Sequence, residues 1–123
     1  IVAKDRAVHI TPAVAKVASG ALEYVNLCLV VNISQTIATL KENGLWVWGL
    51  DAVGGKRVDA ADLEGPLALV VGAEGRGIRH LVKKSCDGIL RIPISKEISS
   101  LNTAVACSLA IYECRRQRVW TEG

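Results

Sequence analysis

The chain has 123 residues, half of them hydrophobic, with a net charge of +3, which suits one domain with its own core and is short for two. No apolar run is long enough to span a bilayer and the N-terminus lacks a basic-then-apolar signal pattern, so the sequence reads as a soluble cytoplasmic protein. Cys28, Cys86, Cys107 and Cys114 form no C-x-x-C pair and sit mostly among apolar neighbours, and His9 and His80 have no ligand-spaced companions; neither a disulfide framework nor a metal site is expected.

Short β-branched runs alternate with segments of helical period, which predicts an α/β fold with a mostly parallel sheet flanked by helices. Ile1-Val2-Ala3 carries no initiator Met and offers no obvious first strand, so the chain reads as a fragment of a longer protein. Thr11 as N-cap with Pro12 after it predicts a helix to about Ala18, stopped by Gly20. Residues 27–32 (LCLVVN) read as a buried strand. Ser34 then caps a helix through Glu42, which Asn43-Gly44 ends in a left-handed turn. Residues 45–50 (LWVWGL) are the next strand, and the polar stretch 51–65 is a loop. Residues 66–72 (PLALVVG) form the most apolar strand, 78–86 a helix, 88–93 (GILRIP) a final strand, and Ser99 or Ser100 caps the last helix. In that helix Leu101, Ala104, Val105, Leu109 and Tyr112 share one face.

Two segments can carry chemistry. In "VVGAEGRGI" (70–78) a strand runs into Gly72, Gly75 and Gly77 and then a helix, which brings a side-chain-poor turn to the carboxyl edge of a sheet, where ligands of α/β proteins bind. The spacing G-x-x-G-x-G is not that of a dinucleotide fold, Glu74 would oppose a pyrophosphate, and there is no G-K-[ST]. A ligand without phosphates, such as one with an adenosine moiety and a cationic centre, suits it better; a plain tight turn with an exposed Glu is the alternative. In "RIPISKEISSLNTAVA" (91–106), Ser99, Ser100 and Asn102 crowd one turn at a helix start, either as a cap or as part of a site. Arg76, Arg79, Lys83 and Lys84 cluster, Arg115, Arg116 and Arg118 close the last helix, and Lys4, Asp5 and Arg6 lie near the start. These charges permit a polyanionic partner or simply solvate helix faces.

Taken in order, L-V-x-G-A-E-G-x-G, I-P, S-S-L-N-x-x-V-A and Y-E-x-x-R-Q resemble motifs two and three of the SpoU-type RNA 2′-O-ribose methyltransferases, members of the SPOUT class. "KDRAVHITPAVAKVASGALEYVNLCLVVNI" is similar to the middle of bacterial large-subunit rRNA guanosine 2′-O-methyltransferases, so the resemblance covers nearly the whole chain. It implies a deep C-terminal trefoil knot, a homodimer with the knots at its interface, and S-adenosylmethionine bent within the knot. Carried over by motif, the cofactor contacts are Gly72, Ala73, Gly75, Ile92, Pro93 and Leu101, with Gly49 and Leu50 after the preceding strand. Glu74, Ser100 and Asn102 match the catalytic positions.

RNA, most readily rRNA, would be tracked by Arg76, Arg79, Lys83 and Lys84. The apolar face from Leu101 to Tyr112 would close the knot and serve the dimer, and "RRQR" would end the helix near solvent or RNA. The family's N-x-G-A-x-x-R motif is absent here. The expectation is therefore a catalytic domain lacking its N-terminal strand and motif one, which binds S-adenosylmethionine with little turnover by itself. A tRNA ribose methyltransferase and a non-catalytic knotted RNA-binding module are the alternatives.

Overall fold

The computed structural model describes residues 1–3, 24–73, 76–98 and 101–119. The predicted helix at 11–18 and the charged Lys4, Asp5 and Arg6 lie outside them, as do Glu74, Gly75, Ser99 and Ser100. The chain divides into two compact units, Ile1–Thr36 and Ile37–Gly123.

In the first unit, β1 (Val2–Ala3) pairs in parallel with β2 (Leu29–Val30), Val2 opposite Leu29 and Ala3 opposite Val30. The N–H of Val2 donates to Cys28 O at 2.8 Å. The start of the chain thus does supply a strand, contrary to expectation. The strand read as six buried residues is only two long, and Leu27, Leu29 and Val31 are exposed. Cys28 is exposed as well. Helix α1 (Ile33–Glu42) starts at Asn32, not Ser34: the carboxamide oxygen of Asn32 accepts the N–H of Gln35 at 3.0 Å, one of the donors a helix start leaves over.

In the second unit α1 ends as its sequence predicts. Gly44 takes φ +87°, its N–H donates to Lys41 O, and the N–H of Leu45 donates to Leu40 O. This is the 6→1 and 5→2 pairing of a left-handed glycine stop. Four parallel strands follow, β3 (Trp46–Leu50), β4 (Lys56–Arg57), β5 (Leu67–Val70) and β6 (Gly88–Arg91), in the spatial order β4-β6-β3-β5. Trp48 lies opposite Leu69 on one side and Gly88 on the other. Asp87 locks the β3–β6 register, since its N–H donates to Val47 O and its carboxylate accepts the N–H of Val47 and the ammonium of Lys41. Strand β4 and the 3-10 turn Val58–Ala60 fall within the stretch expected to be loop.

Side chains alternate across the strands. On one face Trp48, Leu50 and Leu90 meet Val58, Ala61, Leu63, Ala110 and Cys114, with Leu67 and Leu69 at the margin. Leu63 and Leu90 are fully buried, each removal from water stabilising the fold by about 1.5–3 kcal/mol. The indole of Trp48 lies over Gly88, where a Cβ would come within 2.5 Å of Cζ3. Its Nε1–H finds no acceptor among the described residues, and its ring centroid is 6.3 Å from that of the exposed Trp46, with the planes tilted by 55°. On the other face Val47 is buried, and Gly49 makes room for Ile78, Ile89 and Cys86.

Helix α2 (His80–Ser85) is short, and α3 (Thr103–Val119) is long. The buried face of α3 is Ala106, Cys107, Ala110, Glu113 and Cys114, not the predicted one. Val105, Leu109 and Tyr112 are 49%, 43% and 55% exposed, Ala104 is exposed, and Leu101 precedes the helix. Small Ala and Cys side chains let α3 come close to the sheet, so the bulkier apolar residues face out.

The C-terminal end of α3 is tied down by polar contacts. Arg116 grips the Glu113 carboxylate with two hydrogen bonds of 2.8 and 2.7 Å. The Gln117 carboxamide accepts the N–H of Leu63 and donates to Ala61 O and to Glu113, while the Arg118 guanidinium donates to the carbonyls of Leu63 and Gly65. The "RRQR" ending therefore anchors the 61–65 loop through Gln117 and Arg118, while Arg115 is exposed. Among the described residues no helix is long and apolar enough to cross a membrane.

Candidate functional site

The carboxyl ends of β3, β5 and β6 open onto a cleft of about 230 Å³, the place where parallel α/β sheets bind ligands. Each strand hands one segment to its wall. Leu50, Asp51 and Ala52 follow β3; Val71, Gly72, Ala73, Arg76 and Gly77 follow β5; Ile92 and Ile94 follow β6. Leu101, Thr103 and Ala106 at the start of α3 close the remaining side.

The glycine-rich turn after β5 is held by its own backbone. The N–H groups of Arg76 and Gly77 both donate to Ala73 O, at 3.2 and 3.0 Å, and Gly77 takes φ +69°. Gly72 packs directly on this turn, where a Cβ would overlap the Gly77 carbonyl. Glycine at 72 is thus a requirement of close backbone approach.

Asp51 is the one carboxylate in the described wall. Its Oδ1 accepts the N–H of Ala52 at 2.7 Å and its Oδ2 accepts the Lys83 ammonium at 2.9 Å. Burial pushes its pKa up, but the Lys83 hydrogen bond, the backbone amides and the lysine charge outweigh it and hold the carboxyl below its ordinary value. At the start of α3 the carboxamide oxygen of Asn102 accepts the N–H groups of Ala104 and Val105 at 2.9 and 3.3 Å, and the Ala106 N–H donates to Asn102 O. Asn102 is therefore the N-cap, the role expected of Ser99 or Ser100, because its planar amide reaches two free donors.

Of the residues expected to hold a cofactor, the structure brings Leu50, Gly72, Ala73, Ile92 and Leu101 into this single wall. Gly49 does not line it; it faces the opposite side of β3, where a Cβ would come 2.9–3.2 Å from Ile89, Ile78 and Cys86. Pro93 is exposed and lies outside the wall, between Ile92 and Ile94, which are in it. Asn102 is adjacent, between Leu101 and Thr103; Glu74, Gly75 and Ser100 lie outside the described residues.

Of the basic cluster, Arg76 lines the cleft, Arg79 and Lys84 are exposed, and Lys83 is committed to Asp51. The sequence reading missed Asp51, Ala52, Ile94 and Thr103. An acid directly after a strand was the available signal for Asp51. Burial raises the thiol pKa of Cys86, Cys107 and Cys114.

Comparison with known proteins gives the cleft a context. The SpoU rRNA Methylase family matches residues 1–112. The 23S rRNA (guanosine-2′-O-)-methyltransferase RlmB of Coxiella burnetii is 43% identical over 118 residues, 96% of this chain and 47% of that protein. The chain thus spans about half the length of the curated relatives it matches. Among solved structures, the SpoU methyltransferase AviRb from Streptomyces viridochromogenes in complex with the cofactor AdoMet superposes with a TM-score of 0.79 at 26% identity, covering 89% of this chain and 45% of that one. The TrmH/SpoU tRNA modifying enzyme of A. aeolicus superposes with a TM-score of 0.81 at 24% identity, covering 97% of this chain and 59% of that one, which shows the shared fold.

Proposed function

Because the chain belongs to the SpoU rRNA methylase family, we propose that it forms the S-adenosylmethionine-binding part of an RNA 2′-O-ribose methyltransferase whose substrate is a guanosine of large-subunit rRNA. The observation that carries this reading is the convergence of Leu50, Gly72, Ala73, Ile92 and Leu101 on one cleft at the carboxyl end of a parallel sheet. The residues present suit that cofactor. Among the described residues the wall is mostly apolar side chain and bare backbone, with Asp51 and Arg76 as its charged side chains. The RlmB relatives carry the guanosine and 23S rRNA assignment in their names, and AviRb carries AdoMet.

When bound, the cofactor supplies a methyl group on a sulfonium centre, open to in-line attack by a ribose oxygen. This chain's residues do the holding. Ile92, Ile94 and Leu101 exclude water from an apolar ligand surface, and the backbone of Gly72 to Ala73 lets the ligand approach without a side chain between. Asn102 fixes the entry to α3 and with it the position of Leu101. Glu74, Ser100 and Asn102 we assign to the reacting centre on their motif positions, and Arg76, at the cleft wall, to the phosphate backbone of the RNA, with Arg79 and Lys84 beside it.

The same reading places the activity in the cytoplasm and includes a C-terminal trefoil knot and a homodimer. The exposed Val105, Leu109 and Tyr112 of α3 support the dimer, since they form an apolar stripe at i, i+4, i+7. Sedimentation should show a dimer that Leu109→Glu converts to monomer. The test of function is methyl transfer from labelled S-adenosylmethionine by the protein in its longest natural form, with the modified nucleotide mapped. A 2′-O-methylguanosine in 23S rRNA is the expected product; methylated tRNA would reassign the substrate, and no transfer with either would overturn the reading.

A further inference from the structure

The geometry points to Asp51 as the residue that reads the ribose hydroxyls of the cofactor, with Lys83 as its positioning residue; this rests on the cleft being an S-adenosylmethionine site. Asp51 stands directly after β3, at the carboxyl edge of the sheet. In parallel α/β folds an acidic side chain near such an edge is well placed to accept hydrogen bonds from sugar hydroxyls. A carboxylate offers about four lone-pair sites. The Ala52 N–H on Oδ1, the Lys83 ammonium on Oδ2 and the backbone N–H of Val53 occupy three of these, which leaves one for a ligand donor. Gly77 is the neighbour of Oδ1 across the cleft: a Cβ there would rest in ordinary contact with that oxygen, at 3.7 Å, and glycine leaves that side of it bare.

Charge decides which donor fits. Lys83 lies 2.9 Å from Asp51, so the pair is close to neutral and attracts a second cation weakly, whereas a hydroxyl needs an acceptor rather than a counter-ion. The sulfonium and the ammonium of the methionine tail are therefore not what Asp51 selects. Lys83 takes no part in holding RNA phosphates; its task is to fix the carboxylate's orientation.

Calorimetry on the 123-residue chain separates the possibilities, using S-adenosylmethionine, S-adenosylhomocysteine and the 2′-deoxy and 3′-deoxy forms of the latter. Asp51→Ala should weaken both parent ligands by the same factor, about tenfold or more. Removing a ribose hydroxyl should weaken binding to the unaltered chain but not to Asp51→Ala. Lys83→Met should show a smaller loss, and adding it to Asp51→Ala should cost nothing further. Asp51→Asn, which keeps the shape, guards against a folding defect and should lose part of the discrimination between ribose and deoxyribose ligands.

A loss confined to S-adenosylmethionine would make Asp51 a cation site and overturn the proposal, as would unchanged affinities in Asp51→Ala. If the unaltered chain binds none of the ligands, the cofactor reading itself falls. Binding that ignores Asp51 removes only the present inference.

Discussion

The two ends of α3 are held in opposite ways. At its C-terminal end Glu113, Arg116, Gln117 and Arg118 make a dense set of side-chain bonds that clamp the 61–65 loop under the helix. At its N-terminal end the Asn102 cap meets a cleft whose walls are largely apolar side chain and backbone. One end is specified by many polar contacts; the other meets apolar side chains and bare backbone. A single helix thereby links an anchor to the cleft, and changes at the two ends should separate into stability effects and affinity effects.

The largest effect should come from the anchor's core. Leu63→Ala empties a fully buried position and should lower stability by about 2–5 kcal/mol, visible in urea unfolding, with S-adenosylmethionine affinity of the folded fraction little altered. At the cleft, Gly72→Ala would force a Cβ into the Gly77 backbone. It should cost about 1–3 kcal/mol and reduce cofactor affinity more than tenfold in calorimetry; intact affinity would break the proposed contrast.

Gln117→Ala removes contacts to Leu63, Ala61 and Glu113 and should cost about 1–3 kcal/mol while sparing affinity. Asn102→Ala should cost only about 1 kcal/mol, yet weaken the ligand more than Gln117→Ala does, because Leu101 would lose its fixed position. The reverse order of affinities would show that the two ends are not independent.

The smallest effect is a pH dependence at the anchor. The hydrogen bonds from Arg116 and then Gln117 hold the Glu113 carboxyl below its ordinary value. A depressed folded pKa means that this stabilisation is complete above the unfolded value and is lost as pH falls through the folded one. Stability measured from pH 6 downward should therefore fall less steeply in Glu113→Gln than in the unaltered chain.

Much of the sheet was readable because its strands are short, apolar and punctuated. Asn43-Gly44 announced the stop of α1, and residues 45–50, 66–72 and 88–93 each contain an observed strand. Strand β4 was not readable, because Lys56-Arg57 at a sheet edge has the composition of a loop and is ordered by pairing with Leu90 and Arg91. Both caps were misassigned to serines. Hydroxyls and carboxamides are near-equal cap formers, and only the backbone path decided that Asn32 and Asn102 stand at the right place.

The buried face of α3 was also hidden, since Ala110 and Cys114 carry a weak hydrophobic signal but allow the closest approach to the sheet. For the site, the glycine turn and the motif positions led to the cleft. Asp51 and the Gln117 clamp depend on contacts spanning 32 and 54 to 56 positions of sequence, which local pattern does not encode.

Of the chain's three tryptophans, the two on β3 stand in contrasting surroundings. Trp48 is enclosed, whereas Trp46 is 54% exposed at a centroid distance of 6.3 Å. Emission from Trp48 belongs at the blue end of the tryptophan range and from Trp46 at the red end, where iodide reaches it. At this separation and tilt their transitions couple, so circular dichroism carries an exciton band from the pair. Because both rings ride on the strand that ends in Leu50 and Asp51, light absorbed in the core reports on the strand that carries one wall of the cleft.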